Sequence, residues 1–554
     1  MARAPGEGAG ALRRRLRLPA ALTVLVQAVL VLGDRVPSID TMAYLESGTS
    51  LLRGDGYVRQ GMPEVHFPPF VPVGLGLLHR LLGDELRAVQ VWNLGWGLAL
   101  AATVVAVAWR ASRDEDATVL TAWAVTAVGG AIPLLIRGGG GSEAPAAVLV
   151  LGAALVGLGA LDRADRSGAL AARGAAIGAL LGLAYLVRPE ALLWGGLLVA
   201  VVALLARRRG ATIGAAAGLV AATAAVVAIA VVPYAVRQHD VTGSWSITAK
   251  SREASIDTWA DIARGDRVQR DEVLHRIDPD GVTLGPPMRS LSSLAADDPA
   301  GWLRIVATNV AQVGRFYLLW QVVPIFLLLP ALHRLWRSRA TDATRIFGAA
   351  ALGPVATSLT YFALPRYLLV TTCVVVAYGC WAVVAWQRER SPAVRRWTAV
   401  GLAVGLGVSF VVATWPLLPG SPSPERTDQI DAGRWIDEHL PADAVLLTRS
   451  YAVQHAAHRP VVTLPVGTLD EVLAFGRRRG ATHLVADETT LRSRRPELVD
   501  DLLGDTAPDG LALVAERTEG GRTVRIYAIE GVDPSVPPWP LPLGYVSDLP
   551  TPAP

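Results

Sequence analysis

Two carboxylates and two arginines stand beside long apolar runs in this sequence: Asp40, Glu143, Arg188 and Arg366. A charge so close to a bilayer is costly unless it is paired, and a paired one there tends to carry function. Asp40 follows Val36-Pro37-Ser38-Ile39 and precedes Thr41-Met42-Ala43-Tyr44, with Gly54-Asp55-Gly56-Tyr57 further on. Ser38 can cap a short helix there, which leaves Asp40 in a first turn where the helix dipole favours a carboxylate. Glu143 comes after Arg137 and a glycine run, and a helix-start carboxylate is again the structural alternative. Arg188 and Glu190 flank Pro189 in a turn between two apolar runs. Proline at a helix start explains the turn, but an arginine at this depth wants an anion, and lipid phosphate is the natural one. Arg366 and Tyr367 follow Pro365 at another helix entrance, where snorkelling towards headgroups is the structural reading.

The elements that must hold these residues are membrane helices. Of 554 residues, 52% are hydrophobic and 18% charged, and the mean hydropathy is +0.37, more apolar surface than one water-soluble core of this length hides. Apolar runs of spanning length occur at Leu18 to Gly33, Leu86 to Trp109, Ala117 to Ile136, Ala144 to Leu161, Leu170 to Val187 and Ala191 to Ala206. Others follow at Ile213 to Tyr234, Phe316 to Leu335, Ile346 to Leu364, Tyr367 to Trp386 and Trp397 to Leu418. They predict a polytopic α-helical membrane protein with about eleven transmembrane helices.

Orientation is read from the arginines. One set of connections holds Arg13 to Arg17, Arg110 and Arg113, Arg163 and Arg166, Arg207 to Arg209, Arg334 to Arg345 and Arg388 to Arg396, and this set faces the cytoplasm. The alternate set faces outward: loop 34–85, the Gly138 to Gly141 loop, the Arg188-Pro189 turn, loop 235–301 and Pro365-Arg366. The expected organisation is a cytoplasmic N-terminus over 1–17, a membrane domain over 18–420, an extracytoplasmic α/β domain over 425–532 and a proline-rich tail over 533–554. Leu75 to Leu82 suggests a short helix in the membrane interface, and Trp245 and Trp259 are interface anchors in the second long loop. The net charge of +4 and the pI of 9.2 reflect these arginine clusters, which excludes nucleic acid as the inferred partner. Cys373 and Cys380 lie about 10 Å apart along one helix, too far to bridge, and read as buried apolar side chains.

After the proline-rich stretch Pro416 to Pro424, the spacing predicts a helix over Asp428 to His439 and strands over Val445 to Thr448, Val461 to Leu464 and His483 to Ala486. A hairpin turning at Glu519-Gly520-Gly521 joins Leu511 to Glu516 and Thr523 to Ile529. The domain carries no phosphate-loop glycine pattern.

Over Ala20 to Tyr378 the residues resemble the GT-C superfamily of polyprenyl-phosphate-sugar-dependent glycosyltransferases, in particular the branch of protein O-mannosyltransferases and aminoarabinose transferases. The carriers are Asp40 with Ala43-Tyr44, Gly54-Asp55-Gly56-Tyr57, Phe67-Pro68-Pro69-Phe70-Val71-Pro72, Ser142-Glu143, Tyr185-Leu186-Val187-Arg188-Pro189-Glu190 and Pro365-Arg366-Tyr367-Leu368-Leu369. The resemblance implies a bacterial plasma-membrane enzyme that moves a hexose or pentose from a polyprenyl-phosphate donor to an envelope glycan, lipid or protein. It implies a single inverting displacement with Asp40 as the base. It gives Glu143 the role of orienting the acceptor or a basic partner, and Arg188, Arg366 and Tyr367 that of holding the donor phosphate. Tyr44, Glu64, His66 and Glu190 stand as accessory residues. Relatives often carry a lysine before the paired prolines where this chain has Phe67, which leaves open the side chain that meets phosphate on that loop. Glu64 with His66 is a weak pair for a metal, so a divalent metal stays open but metal independence is favoured and no cofactor is expected. A transporter or an inactive envelope scaffold is the competing class, but the middles of the apolar runs hold almost no ionisable residues and no inverted repeat with broken helices is evident.

Overall fold

The structure, a computed structural model, describes residues 7–31, 38–59, 62–127, 141–162, 167–242, 245, 247–248, 295–318, 323–361, 363–414 and 427–533. Gly138 to Gly140, Arg163, Arg166, Trp259 with most of its loop, the Pro416 to Pro424 junction and the tail from residue 534 lie outside the described residues.

In chain order the helices and strands are α1 (Glu7–Val31), α2 (Ile39–Arg53), the paired β1 (Val58–Arg59) and β2 (Met62–Pro63), α3 (Phe70–Leu82), α4 (Glu85–Ser112), α5 (Glu115–Ala127), α6 (Glu143–Leu161) and α7 (Ser167–Val187). There follow α8 (Ala191–Arg208), α9 (Ile213–Thr242), α10 (Pro299–Leu318), α11 (Ile325–Arg337), α12 (Asp342–Thr360), α13 (Leu369–Arg388) and α14 (Pro392–Thr414). The last part holds α15 (Thr427–His439), β3 (Leu446–Thr448), α16 (Tyr451–Ala457), β4 (Val461–Thr463), α17 (Leu469–Arg478), β5 (His483–Asp487), α18 (Glu488–Arg494), α19 (Val499–Leu503), β6 (Leu511–Glu519) and β7 (Arg522–Ile529). The described residues form two compact units: Met1–Asp34, Phe67–Arg237 and Val306–Ser423 in the first, Arg35–His66, Gln238–Ile305 and Pro424–Pro554 in the second.

The first unit is the membrane bundle. Among the described residues 7 helices are long and apolar enough to cross a bilayer: α4, α6, α7, α8, α9, α13 with its preceding turn, and α14. The remaining expected runs fall on α1, α5, α11 and α12, which are shorter or carry more charge. One run is divided: α10 ends at Leu318, and α11 starts at Ile325 behind Pro324, whose ψ of 136° is extended, so Phe316 to Leu335 is not a single helix. The axis of the bundle is α13, with 89% of its apolar window buried against 6% for α14, which faces outward over nearly its whole length. Backbones approach closely where glycines allow it: a Cβ at Gly379 of α13 would stand 2.6 Å from the Leu327 carbonyl of α11. Both cysteines are buried and unbridged in α13.

Ion pairs show which helix ends share a side of this unit. Arg15 at the start of α1 reaches Asp116 at 2.7 Å, Arg388 at the end of α13 also reaches Asp116 at 2.9 Å, Arg110 reaches Asp162 at 3.2 Å, and Arg209 reaches Asp342 at 2.8 Å. Each exposed pair adds little stability. Together they put the arginine-rich ends on one side and leave the starts of α6, α8 and α13 at the opposite one. The expected short helix is α3, whose Leu77, Leu81 and Leu82 are exposed.

The second unit contains an α/β domain with a five-stranded sheet in the order β4-β3-β5-β7-β6. β3 runs parallel to β4 and β5, while β7 is antiparallel to β5 and β6. Successive residues point to opposite faces, so Leu447, Leu484 and Tyr527 enter one core with α17, α18 and α19, and Leu446, Val485 and Ile526 enter another with α15 and α16. The hairpin turns where expected, with Gly520 and Gly521 at φ 59° and 75°, values that favour glycine. The chain is thus a polytopic helical membrane protein with a small α/β domain near its C-terminal end.

Candidate active site

Three distant stretches of the first unit meet at the end away from the arginine-rich connections. Glu143 is the first residue of α6, preceded by Ser142. Arg188 closes α7, its N–H donating to Ala184 at 2.8 Å, and its own carbonyl receives the Ala191 N–H at 2.9 Å. The Arg188-Pro189-Glu190 turn therefore passes straight into α8 and throws Arg188 and Glu190 together. Arg366 and Tyr367 occupy a single 3-10 turn, Pro365–Leu368, at the entrance to α13.

Arg188 is the hub. Its Nη1 donates to Glu143 Oε1 at 2.8 Å and to Ser142 Oγ at 3.4 Å, while its Nε donates to Glu190 Oε1 at 2.7 Å and Nη2 stands 2.6 Å from the same oxygen. The side chains of Arg188 and Glu143 are only 7% and 4% exposed. Burial works against the guanidinium's charge, but Glu190 and Glu143 outweigh it and hold the pKa of Arg188 above its ordinary value. Tyr367 lies between two cations, its ring centre 4.5 Å from the Arg188 guanidinium carbon and 5.5 Å from that of Arg366.

Arg366 differs from Arg188 in a way the sequence did not reveal. Its Nε stands 3.5 Å from Glu143 Oε1, longer than any contact of Arg188 with a carboxylate, and its side chain keeps 28% of its exposure. One arginine is thus enclosed by carboxylates and the other is partly exposed. Glu143 Oε2 is buried and has no hydrogen-bond partner among the described residues. Formally the group balances, with two positive side chains, Arg188 and Arg366, and two negative ones, Glu143 and Glu190.

The second unit holds the other candidates. Ser38 caps α2, its Oγ accepting from the Thr41 N–H at 3.2 Å, and Asp40 sits half-buried in the first turn, as the spacing suggested. Tyr44, one turn on, is buried. The Glu64 carboxylate is wholly buried: Arg59 Nε lies 2.9 Å from Oε2, Ser47 Oγ donates to Oε2 at 3.4 Å and the His66 N–H donates to Oε1 at 2.7 Å. Glu64 thereby ties its loop to α2, a structural role that composition did not signal. Among the described residues no group of three His, Cys, Asp or Glu side chains could hold a metal ion. The structure so joins Glu143, Arg188, Glu190, Arg366 and Tyr367 in one unit and carries Asp40, Tyr44, Glu64 and His66 in the other.

Neither a protein-family model nor a curated protein matches the sequence. Solved structures do match the fold. An archaeal oligosaccharyltransferase, AglB from Archaeoglobus fulgidus, in complex with an inhibitory peptide and a dolichol-phosphate, is similar with a TM-score of 0.58 at 13% identity, over 87% of this chain and 70% of that one. ArnT from Cupriavidus metallidurans, bound to undecaprenyl phosphate, gives 0.57 at 14% identity over 93% of this chain and 98% of that one. The chain has the GT-C fold. A third GT-C protein, the arabinofuranosyltransferase AftD from Mycobacteria, gives 0.50 at 14% identity, with 93% of this chain covering 41% of that one. The likeness to ArnT thus extends over nearly the whole of both chains, and the arginine–glutamate cluster lies where bundle helices of this fold begin.

Proposed function

We propose that this GT-C protein is a membrane glycosyltransferase that moves a sugar from a polyprenyl-phosphate donor to a hydroxyl of an extracytoplasmic acceptor. The observation that carries the reading is the pairing of an enclosed arginine, Arg188, with a more exposed one, Arg366, through the shared oxygen of Glu143. A partly exposed guanidinium beside an aromatic ring suits a phosphate on a lipid carrier. The similarity of the whole fold to ArnT bound to undecaprenyl phosphate supports the same class of donor. The arginine-rich ends of the bundle face the cytoplasm by the charge rule, which turns the cluster to the extracytoplasmic side.

In this reading Arg366 contacts the donor phosphate and Tyr367 donates a hydrogen bond to it, while Arg188 fixes Glu143 and Tyr367 in place. Asp40 removes the acceptor hydroxyl's proton as that oxygen forms its bond to the anomeric carbon. The bond from carbon to phosphate oxygen breaks on the opposite face, the sugar's configuration inverts, and the lipid phosphate leaves with the electron pair. Its growing charge is met by Arg366. An aspartate is a weak base near neutral pH, so positioning supplies much of the rate.

The test is transfer from undecaprenyl-phosphate-linked sugars by the purified chain in nanodiscs, wild type against Asp40→Asn. Loss of activity by about 10²- to 10⁴-fold with an unchanged melting temperature is expected for removal of a general base. Full activity in the variant rejects Asp40, and absence of transfer by the wild type across mannose, arabinofuranose and aminoarabinose donors rejects the reaction class. Comparing the envelope glycans of a deletion strain with its parent identifies the acceptor.

A further inference from the structure

The corner that carries Ser142 and Glu143 is held from a second direction. The indole Nε1–H of Trp92, on α4, donates to the carbonyl of Gly141 at 3.0 Å, and the bond is buried. A buried indole needs such an acceptor. The next two residues along the chain supply the oxygens, Ser142 Oγ and Glu143 Oε1, that receive Arg188 Nη1. Ser142 makes no side-chain cap to α6, so this helix start lacks the usual local device that fixes a first turn.

Trp92 itself has little freedom. It is 8% exposed, and a Cβ at Gly74 of α3 would stand 2.2 Å from the ring. Phe70 and Trp96 pack on it with ring centres 6.1 and 5.6 Å away. A rigid donor thus grips the backbone immediately before the carboxylate that both arginines share.

We propose that Trp92 is a positioning residue for the anion site: its N–H sets the Gly141–Glu143 corner, and Glu143 in turn directs Arg188 and Arg366. This rests on the phosphate reading above. Trp92 does not touch the ligand, so its effect passes through Glu143 and should vanish when Glu143 can no longer hold the arginines.

The experiment measures binding of undecaprenyl phosphate to the full chain in nanodiscs for the wild type, Trp92→Phe, Glu143→Gln and the double variant. Trp92→Phe keeps a ring and loses the donor; it should weaken binding about tenfold, near 1.4 kcal/mol. The double variant should bind no more weakly than Glu143→Gln alone, because the effects share one route. Trp96→Phe, which alters the adjacent ring, should stay within twofold of wild type. Gly74→Ala, which displaces the Trp92 ring without deleting its N–H, is the second lesion and should repeat the Trp92→Phe pattern. Equal binding by wild type and Trp92→Phe, or losses that add in the double variant, overturns the positioning role. A wild type that binds no lipid phosphate overturns the phosphate reading itself.

Discussion

Arg188 and Glu143 form an ion pair at 2.8 Å between residues 45 apart in sequence, with both side chains more than nine-tenths removed from solvent. Removing water from two such charges costs several kcal/mol each, and their attraction offsets this only while both are present. Arg188→Met should therefore destabilise the chain by about 3–5 kcal/mol, because Glu143 is left buried with its nearest cation gone. Arg188→Met with Glu143→Gln should recover much of that loss. Melting of the two variants in one detergent checks it, and a double variant no more stable than the single one would sink the account.

Arg366 should behave differently. Its contact with Glu143 is 3.5 Å and its side chain is 28% exposed, so Arg366→Ala should cost about 1 kcal/mol or less in stability. Its effect belongs in the donor: KM for the lipid-linked sugar should rise by about tenfold or more, the weight of a charge-assisted hydrogen bond. Arg366→Lys should restore part of it. A melting temperature that falls as far as in Arg188→Met, with donor KM unchanged, would make Arg366 a structural residue.

The contrast between these arginines marks how far the sequence can be read. Charges stand out against apolar runs, so Glu143, Arg188, Arg366 and Tyr367 could be picked out and assigned to one side of the bundle before any coordinates. Which arginine is enclosed depends on Glu190, and at its position a helix-start carboxylate explains the residue equally well. Glu64 was picked out as an accessory residue, but its structural role was hidden for a related reason: its partner Arg59 lies on the adjoining β1, and the Ser47 bond that ties Glu64 to α2 exists only once the loop folds back. Hydropathy carried the run Phe316 to Leu335 across Pro324, because apolarity does not record a backbone that must leave the helical region. The α/β domain was more legible, since alternation along Leu446 and Leu447 and the paired glycines of the hairpin are local signals. Fully buried Arg495, which donates to the carbonyls of Leu464, Pro465 and Arg494, gave no such signal.

Glycines on α7 set its distance from α9. A Cβ at Gly174 would lie 2.3 Å from the Leu219 carbonyl oxygen and one at Gly178 2.6 Å from that of Thr223, and Thr223 Oγ1 donates across to Gly174 O at 2.9 Å. Both obstacles are backbone, which cannot rotate aside as a side chain does. Gly178→Ala should destabilise by about 1–3 kcal/mol, as overpacking does. Gly196 of α8, with open space around it, is the control. Gly196→Ala should be neutral or stabilise by up to about 1 kcal/mol through helix propensity. Equal melting temperatures for the two variants would show that α7 and α9 can separate without cost.

Asp487 gives the α/β domain a dependence on pH. Its carboxyl is pushed above the ordinary 3.8 chiefly by burial and further by Asp428, against the opposing hydrogen bonds from Thr490 and Gln429. The folded domain thus holds this proton more tightly than the unfolded chain. The stability it contributes is complete below the ordinary carboxylate pKa and declines as pH rises through the folded value. Asp487→Asn keeps an oxygen for the Gln429 amide at 2.6 Å and the Thr490 N–H at 2.8 Å and removes the charge. The variant should be more stable than wild type near pH 7, by about 1–2 kcal/mol, and its stability should change less between pH 4 and 7. Hydrogen exchange of the Leu484, Val485 and Ala486 amides in the full chain reports on this domain alone. Parallel pH curves for the two proteins would assign the slope to another group.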